Sequence, residues 1–599
     1  MSKRKTQIKT KPGTKIKTKE IKKKELDWFN LEEVENNTYN NLKNKVKTSH
    51  YGFFRQPKER MILIGDIHGD FEALEMILVN QAEVLERKTL KGKTWYRWIG
   101  GKAWVICLGD LIDRCREESI FETEEIMNYA TGKKHKVQKT VGEGHKSEMR
   151  ILDLLNMSMI QADKSGGKVI KIMGNHDFES IPSTANNFYL KYSSPYFFYQ
   201  TLNDIYKTKA LDPINYKICW DMIAMKGLKG QQIRSRLRNY YFRVDGLLNC
   251  KLRAGYAFLV VQIGDWIMAH GGVLRSMIEY YHQMYHSKHK TDLKDILSGD
   301  ERLTKYDKST KKKNLFDYLK KYDPAIEKLS SQVKHFENPW VQNLDGKTWL
   351  QIINETFYRY ARGTLGPNEV KKLQTYMWAK YNGDDSVIYD RSLGDHGCNN
   401  DDELSTYHQN LYQKIINLQL FHFQREKELK IAIAHCPQIN NWGQISQSYL
   451  PHKETRTGKK TVLEQWIETR IDNRISQQRM YHSGISGDLP DQKGIPRLWR
   501  LDVAYSRAFD TKMLKELVAA INNGSWELFS NLVRFMKART PQCLEIKLGQ
   551  EPRILAANPM DLERSWLKEE YPRVYNLLEK KINQIDQYPV NPPYVVKLE

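Results

Sequence analysis

RMILIGDIHGD, residues 60–70, decides the fold. Met61 to Ile64 form an unbroken apolar run, and Gly65 and Asp66 follow at once. A short apolar run closed by a turn signal reads as a buried strand. The same form recurs in AWVICLGD (103–110), KVIKIMGN (168–175), AFLVVQIGD (257–265), WIMAHGG (266–272), KIAIAHC (430–436) and RLWRLDV (497–503). Between the first of these lie helical periods, FEALEMILVNQAEVLE (71–86) and EMRILDLLNMSMIQAD (148–163). Strands alternating with helices predict an α/β protein with parallel connections.

The rest of the chain is arranged around that core. Residues 1–25 carry eleven Lys or Arg against two Glu, so they hold +9 of the net +23. Self-repulsion and the lack of apolar residues predict a disordered basic tail. Residues 26–56 read as an N-terminal arm. Residues 57–275 hold the first part of the core, interrupted by an insertion at about 181–255. A second insertion covers 276–375, both stretches being rich in Tyr, Lys and helical periods. Residues 376–560 return to the core, and 561–599 form a helical extension. At 40% hydrophobic and 11% aromatic the chain has ample material to bury, which excludes global disorder. No apolar run approaches the ~18 residues a membrane-spanning helix needs. The N-terminus lacks the apolar segment of a secretory signal. Seven scattered cysteines with no C-x-x-C pair predict a reducing, intracellular setting, cytoplasm or nucleus. The positive balance favours anionic partners. For the tail, either weak nucleic-acid or anionic-surface association or a merely solvated Lys-rich segment fits.

The chemistry sits at the strand ends. In open α/β sheets ligands bind outside the carboxyl ends of the strands. Those ends read GDIHGD (65–70), GDLIDR (109–114), GNHD (174–177), HGG (270–272) and AHCPQ (434–438). They supply Asp66, His68, Asp110, Asn175, His270 and His435. Oxygen and imidazole donors in this mix suit two divalent metals such as Mn, Fe or Zn. The near absence of Cys speaks against a structural zinc site. Two metals ~3.5–4 Å apart can share one carboxylate, and Asp110 is the natural bridge.

Taken together and in this order, the five motifs resemble the calcineurin-like metallophosphoesterase superfamily. They are most similar to its phosphoprotein phosphatase, Shewanella-like phosphatase and diadenosine tetraphosphate hydrolase branch. The resemblance implies a sandwich of two mixed β-sheets flanked by helices, with long, largely helical insertions. It implies that Asp66, His68 and Asp110 hold one metal and that Asp110, Asn175, His270 and His435 hold the other. His176 is then the general acid, with Asp113 paired to it. Arg114 clamps phosphoryl oxygens, with Asn175 and Arg391 (in SVIYDRSLGD) as further phosphate contacts. The residue after GDLIDR, glycine in the family, is Cys115: a redox-sensitive thiol or a tolerated small residue. The single His435, where nucleases of the superfamily carry a G-H-x-H pair, favours phosphatase over nuclease action. Asp502 reads as structural.

The implied activity is hydrolysis of a phosphorylated substrate, a phosphate monoester, with phosphoproteins among the substrates the resemblance offers. Hydrolysis of a dinucleoside polyphosphate is the alternative. A basic nucleic-acid-binding scaffold on an inactive core is the third reading, and the full set of ligand-type residues speaks against it. The Lys/Asn-rich composition and multiple insertions are similar to phosphoesterases of large DNA viruses.

Overall fold

The structure, a computed structural model, describes residues 28–34, 52–115, 121–140, 147–181, 187–244, 246–274, 277, 349–377, 386–390, 393, 430–435, 485–490, 496–502, 518–519, 521–524, 540–557 and 565–585. In chain order the strands are β1 (Phe29–Asn30), β2 (Phe53–Phe54), β3 (Arg60–Ile64), β4 (Leu85–Leu90), β5 (Lys93–Trp98), β6 (Trp104–Cys107), β7 (Phe121–Asn128), β8 (Lys133–Thr140) and β9 (Lys168–Ile172). They continue as β10 (Tyr256–Phe258), β11 (Val260–Ile263), β12 (Trp266–Ala269), β13 (Lys430–Ile433), β14 (Ser486–Pro490), β15 (Pro496–Arg500), β16 (Gln542–Lys547) and β17 (Arg553–Ala556). The helices are α1 (Phe71–Met76), α2 (Ser147–Ser165), α3 (Asn175–Glu179), α4 (Pro195–Lys207), α5 (Pro213–Ile223), α6 (Leu228–Phe242), α7 (Leu247–Leu252), α8 (Trp349–Ala361), α9 (Pro367–Met377), α10 (Ser565–Glu570) and α11 (Pro572–Ile585).

Two six-stranded mixed sheets carry the core. One runs β10-β9-β6-β3-β16-β17, the other β14-β15-β13-β12-β11-β2. In the first, β10, β9, β6 and β3 are parallel and β16 runs antiparallel to β3. In the second, β12, β13 and β15 are parallel. Residues of both sheets, among them Ile62, Val105, Ile170, Ile267 and Ile431, belong to one apolar cluster. Phe54 of the second sheet meets Trp104 and Phe258 of the first edge to face, at 5.6 and 5.9 Å. Apolar burial on this scale is the main force holding such layers together. The sequence therefore yields the expected mixed α/β architecture.

Three local differences have physical causes. The helical period at 71–86 ends early. α1 passes into one π-helical turn at Ile77–Gln81, and Leu85 already belongs to β4. β4 pairs with β5 through a Lys91-Gly92 turn with both φ positive, the geometry that matches strand twist in a tight hairpin. Second, AFLVVQIGD is not one strand. β10 pairs with β9 and β11 with β12, in different sheets. Asn354 of α8 satisfies the backbone at the break, its Oδ1 accepting from Leu259 N at 2.8 Å and its Nδ2 donating to Val260 O at 2.7 Å. Third, the hairpin β7–β8 escapes the apolar-run test because its strands are Glu- and Lys-rich.

The described residues of 187–252 are largely helical. Tyr196, Phe198, Tyr216, Trp220 and Leu237 from this stretch, with Ile126 of β7, form a second apolar cluster. Tyr241, Phe242, Leu248 and Leu252 from the same stretch, and Trp349, Phe357 and Tyr360 from the end of the 276–375 stretch, join the main core. The basic tail 1–25 lies outside the described residues. Among those described, no helix is long and apolar enough to cross a membrane.

One buried charge gives a stability test. Lys171 of β9 is fully buried and donates to Asn156 Oδ1 at 2.6 Å and Lys251 O at 2.8 Å. Burial pushes its amine down to about 7. The unfolded chain keeps an ordinary lysine near ~10.4. Between those values the unfolded state binds more protons, so the native state gains stability as pH rises. Relative to Lys171→Met, the wild type is expected to gain up to about 1.4 kcal/mol per pH unit from pH 7 to 9. Denaturant unfolding at several pH values measures this, and parallel curves for the two proteins would refute it.

Candidate metal centre and acid pair

Six parallel or sheet-paired strands end at one edge, and each is followed within three residues by a polar side chain. β3 leads to Asp66, β6 to Asp110, β9 to Asn175, β12 to His270, β13 to His435 and β15 to Asp502. Two glycines make the convergence possible. A Cβ on Gly174 would lie 2.1 Å from Asp110 Oδ1, and one on Gly109 would lie 2.6 Å from His270 Nδ1. Of the seven non-glycine residues with positive φ among those described, four are His68, Asp110, Asp113 and His435. Left-handed backbone costs an L-residue roughly 1–2 kcal/mol, and such strain concentrates at functional sites.

Asp110 lies at the centre. Its Oδ2 is 3.4 Å from His270 Nε2, 3.6 Å from His68 Nε2 and 3.9 Å from His176 Nε2. Its Oδ1 accepts from His176 N at 2.9 Å. Asp66 approaches from the other side, with its Oδ1 3.6 Å from His270 Nδ1 and its Oδ2 3.8 Å from His68 Nε2. His435 N donates to Asp66 Oδ1 at 3.4 Å. His270 Nε2 meets Asn175 Oδ1 at 3.0 Å, and its Nδ1 donates to Leu108 O at 2.9 Å. The His270 and His435 rings are 4.9 Å apart. All of these side chains are buried.

Two sets of donors fit divalent cations: His68, Asp110 and His176, and Asp110, His270 and His435, each within 4.8 Å of one another. Asp110 is common to both. The donor chemistry is carboxylate and imidazole throughout, so the residues fit a metal pair. His176 appears in the first set where the sequence reading has Asp66. The His176 ring, however, is engaged at Nδ1 by Asp113 Oδ2 at 2.9 Å.

The sequence-predicted residues separate into three groups. Asp66, His68, Asp110, Asn175, His270, His435, His176 and Asp113 come together. Arg114 is buried beside them, but its guanidinium is turned to Gly69 O at 3.1 Å and to Asp70 Oδ2 at 3.4 Å. Arg391 lies outside the described residues. Its neighbour Tyr389 has its ring 6.0 Å from His435, and the backbone of Asp390 abuts Gly271. Cys115 is buried, its N–H donating to Tyr192 O at 3.1 Å.

Sequence reading alone misses two supports and underrates a third. Asp177 accepts from Leu111 N and Gly174 N, both at 3.0 Å, and so ties the second motif to the third. Arg238 of α6 donates to Asp113 Oδ1 at 2.5 Å. Asp502 is hydrogen-bonded to Asp66. Asp177 was legible as the last letter of GNHD; Arg238 carried no local signal.

These contacts set the charge states of the metal-free protein. Burial, with the neighbouring charges of Asp502 and Asp110, pushes Asp66 well above the carboxylate range. Burial also raises Asp110, but His270, His176 and His68 outweigh it and hold Asp110 well below. Burial would lower His270, yet Asp110 and the carbonyl of Leu108 raise it. A metal requires ionised Asp66 and neutral His270, so cation binding must expel protons. Metal affinity is therefore expected to rise with pH through the neutral range. Calorimetric titration with Mn²⁺ in buffers of different ionisation enthalpy counts the protons, and a pH-independent affinity with no proton release would refute this.

The site's neighbourhood matches known proteins. The calcineurin-like phosphoesterase family matches residues 59–389, more than half of the chain. The chain is 25% identical over 236 residues to Shewanella-like protein phosphatase 2 of Arabidopsis thaliana; the match covers 38% of this chain and 49%, about half, of that protein. Among solved structures it is similar to a cold-active protein-tyrosine phosphatase of a psychrophilic Shewanella species, at 14% identity and a TM-score of 0.27, covering 65% of this chain and 68% of that one. A second structure of a cold-active protein tyrosine phosphatase gives 11% identity and a TM-score of 0.31, over 86% and 84% of the two chains. With the motifs in family order and the family match spanning most of the described core, the chain belongs to the calcineurin-like phosphoesterases.

Proposed function

We propose that the protein is a phosphate monoesterase of the phosphoprotein-phosphatase type that works with two divalent cations. The observation that supports this reading best is Asp110, shared by two donor sets beside a buried His176–Asp113 pair. Asp66, His68 and Asp110 would hold one ion, and Asp110, Asn175, His270 and His435 the other. Bound metals supply Lewis-acid stabilisation of the phosphoryl oxygens and a water acidic enough to react at neutral pH. The named relative, a Shewanella-like protein phosphatase, favours a phosphoprotein substrate.

The chain's own residues do the rest. Asp113 accepts the Nδ1–H hydrogen bond of His176, which keeps the ring protonated and turns Nε2 toward Asp110. From there Nε2 gives its proton to the leaving oxygen. Asn175 and, from beyond the described residues, Arg391 bind the phosphoryl group. Arg114 reaches it only by exchanging its contacts with Gly69 and Asp70.

A Mn²⁺-reconstituted assay panel tests the reading: p-nitrophenyl phosphate, a phosphopeptide, a dinucleoside polyphosphate and single-stranded DNA. Hydrolysis of the first two above the others is expected. Preference for the dinucleoside polyphosphate would move the assignment to phosphoanhydrides, and no hydrolysis at all would overturn it. His176→Ala should lower turnover of phenyl phosphate by ~10²–10⁴-fold, the usual worth of a general acid. p-Nitrophenyl phosphate, with its better leaving group, should suffer less. Loss of metal in His176→Ala would make His176 a ligand instead.

A further inference from the structure

Around the acid pair stands a set of residues contributed by the 181–255 insertion. Asp113 has two carboxylate oxygens with different partners. Oδ2 meets His176 Nδ1 at 2.9 Å, and Oδ1 accepts from Arg238 Nη2 at 2.5 Å. The same Nη2 donates to Ser180 Oγ at 2.6 Å, and Ser180 Oγ donates to His176 O at 2.8 Å. Nη1 of Arg238 donates to Ser193 Oγ. Tyr192 sets its ring edge-on to His176 at 4.6 Å. The Arg238 guanidinium also lies over the Phe242 ring, 4.7 Å away and one turn on in the same helix.

We propose that Arg238 is a positioning residue for the reaction: it locks the His176–Asp113 pair in the geometry that aims Nε2 at the leaving group. The insertion is thereby part of the catalytic apparatus rather than decoration on it. This rests on the phosphoesterase reading with His176 as the acid.

The physical case has three parts. Asp113 has positive φ, a strained backbone that persists only where its surroundings hold it. Glu148 Oε1 accepts from its N–H at 3.0 Å and Arg238 donates to its Oδ1, so the strained residue is gripped at both ends. Second, Arg238 and Asp113 are both buried, and a buried ion pair stabilises a fold only when it is fully hydrogen-bonded. The planar guanidinium fork reaches Asp113, Ser180 and Ser193 at once, which a lysine point charge cannot do. Third, one guanidinium nitrogen constrains His176 twice, through its carboxylate partner and through its own carbonyl. Small displacements of a proton donor are costly, ~10²-fold for about 1 Å.

A purely structural role would attach the insertion to the core and weaken all reactions alike. The test separates the two. With phenyl phosphate, Arg238→Met should lower kcat by ~10–10²-fold. With 2,4-dinitrophenyl phosphate, whose leaving group needs no proton, the loss should stay within about three-fold on the same reasoning. Arg238→Lys should recover part of the phenyl phosphate activity. In a His176→Ala background Arg238→Met should add almost nothing, because coupled residues are non-additive.

A second readout needs neither metal nor turnover. At fixed pH, spectra of the metal-free protein with ¹⁵N-labelled histidine report the Nδ1 hydrogen bond of His176, assigned by its loss in His176→Ala. Arg238→Met should shift or broaden that signal. Equal loss on both esters, additivity with His176→Ala, or an unchanged His176 signal would each overturn the proposal. Should Arg238→Met fail to fold, Ser180→Ala and Arg238→Lys carry the same comparison. A wild type with no phosphoesterase activity would sink the assigned function, while the histidine spectra would still decide whether Arg238 fixes the ring.

Discussion

Asp110 is a carboxylate removed from water, with three imidazoles within 4 Å of one of its oxygens. Burying such a charge is expensive unless it is paired, and here the pairing reaches into every other part of the site. His68 arrives from the turn after β3, His176 from the start of α3 and His270 from the end of β12. Two sheets must therefore face each other in a fixed register for one carboxylate to be satisfied. Gly109 and Gly174 are there because no side chain fits between these turns. The left-handed backbone at His68, Asp110, Asp113 and His435 is the strain that this convergence costs.

The strand ends were readable in the sequence because burial and ligand placement use the same short segment. RMILIGD must be apolar to lie between sheet and helices, and it must stop at a glycine to turn Asp66 into the site. That coincidence recurs for Asp110, Asn175, His270 and His435, so one pattern carries both fold and candidate ligands. The hairpins β4–β5 and β7–β8 lack it. Their strands are half exposed and rich in Lys and Glu, so alternation is hidden under charge. The split of AFLVVQIGD between two sheets was invisible for another reason. Its cause is Asn354, about ninety residues away. Arg238 is the same kind of case: an arginine on a basic helix, 125 positions from the aspartate it meets. Only the tertiary fold distinguishes it from its neighbours Arg234 and Arg236.

The two long insertions differ in physical role. Residues 195–242 and the β7–β8 hairpin build an apolar cluster of their own, while Tyr241 and Phe242 also join the main core and Tyr192 and Arg238 reach the His176–Asp113 pair. α8 and α9 instead complete the main core, where Tyr360 stacks on Phe178 at 5.0 Å. Phe178 is two residues beyond His176, so packing from this second region bears on the same short helix. Both additions thus converge on α3, the element that carries Asn175 and His176.

The measurement closest to the heart of this account is the anomalous diffraction of Mn²⁺-loaded crystals. Two peaks about 3.5–4 Å apart, one on each side of the Asp110 carboxylate, are expected of a shared-ligand pair. The peak nearer Asp66 should keep His68, and the other should keep His270 and His435. A single peak, or two peaks of which one does not touch Asp110, would contradict the account.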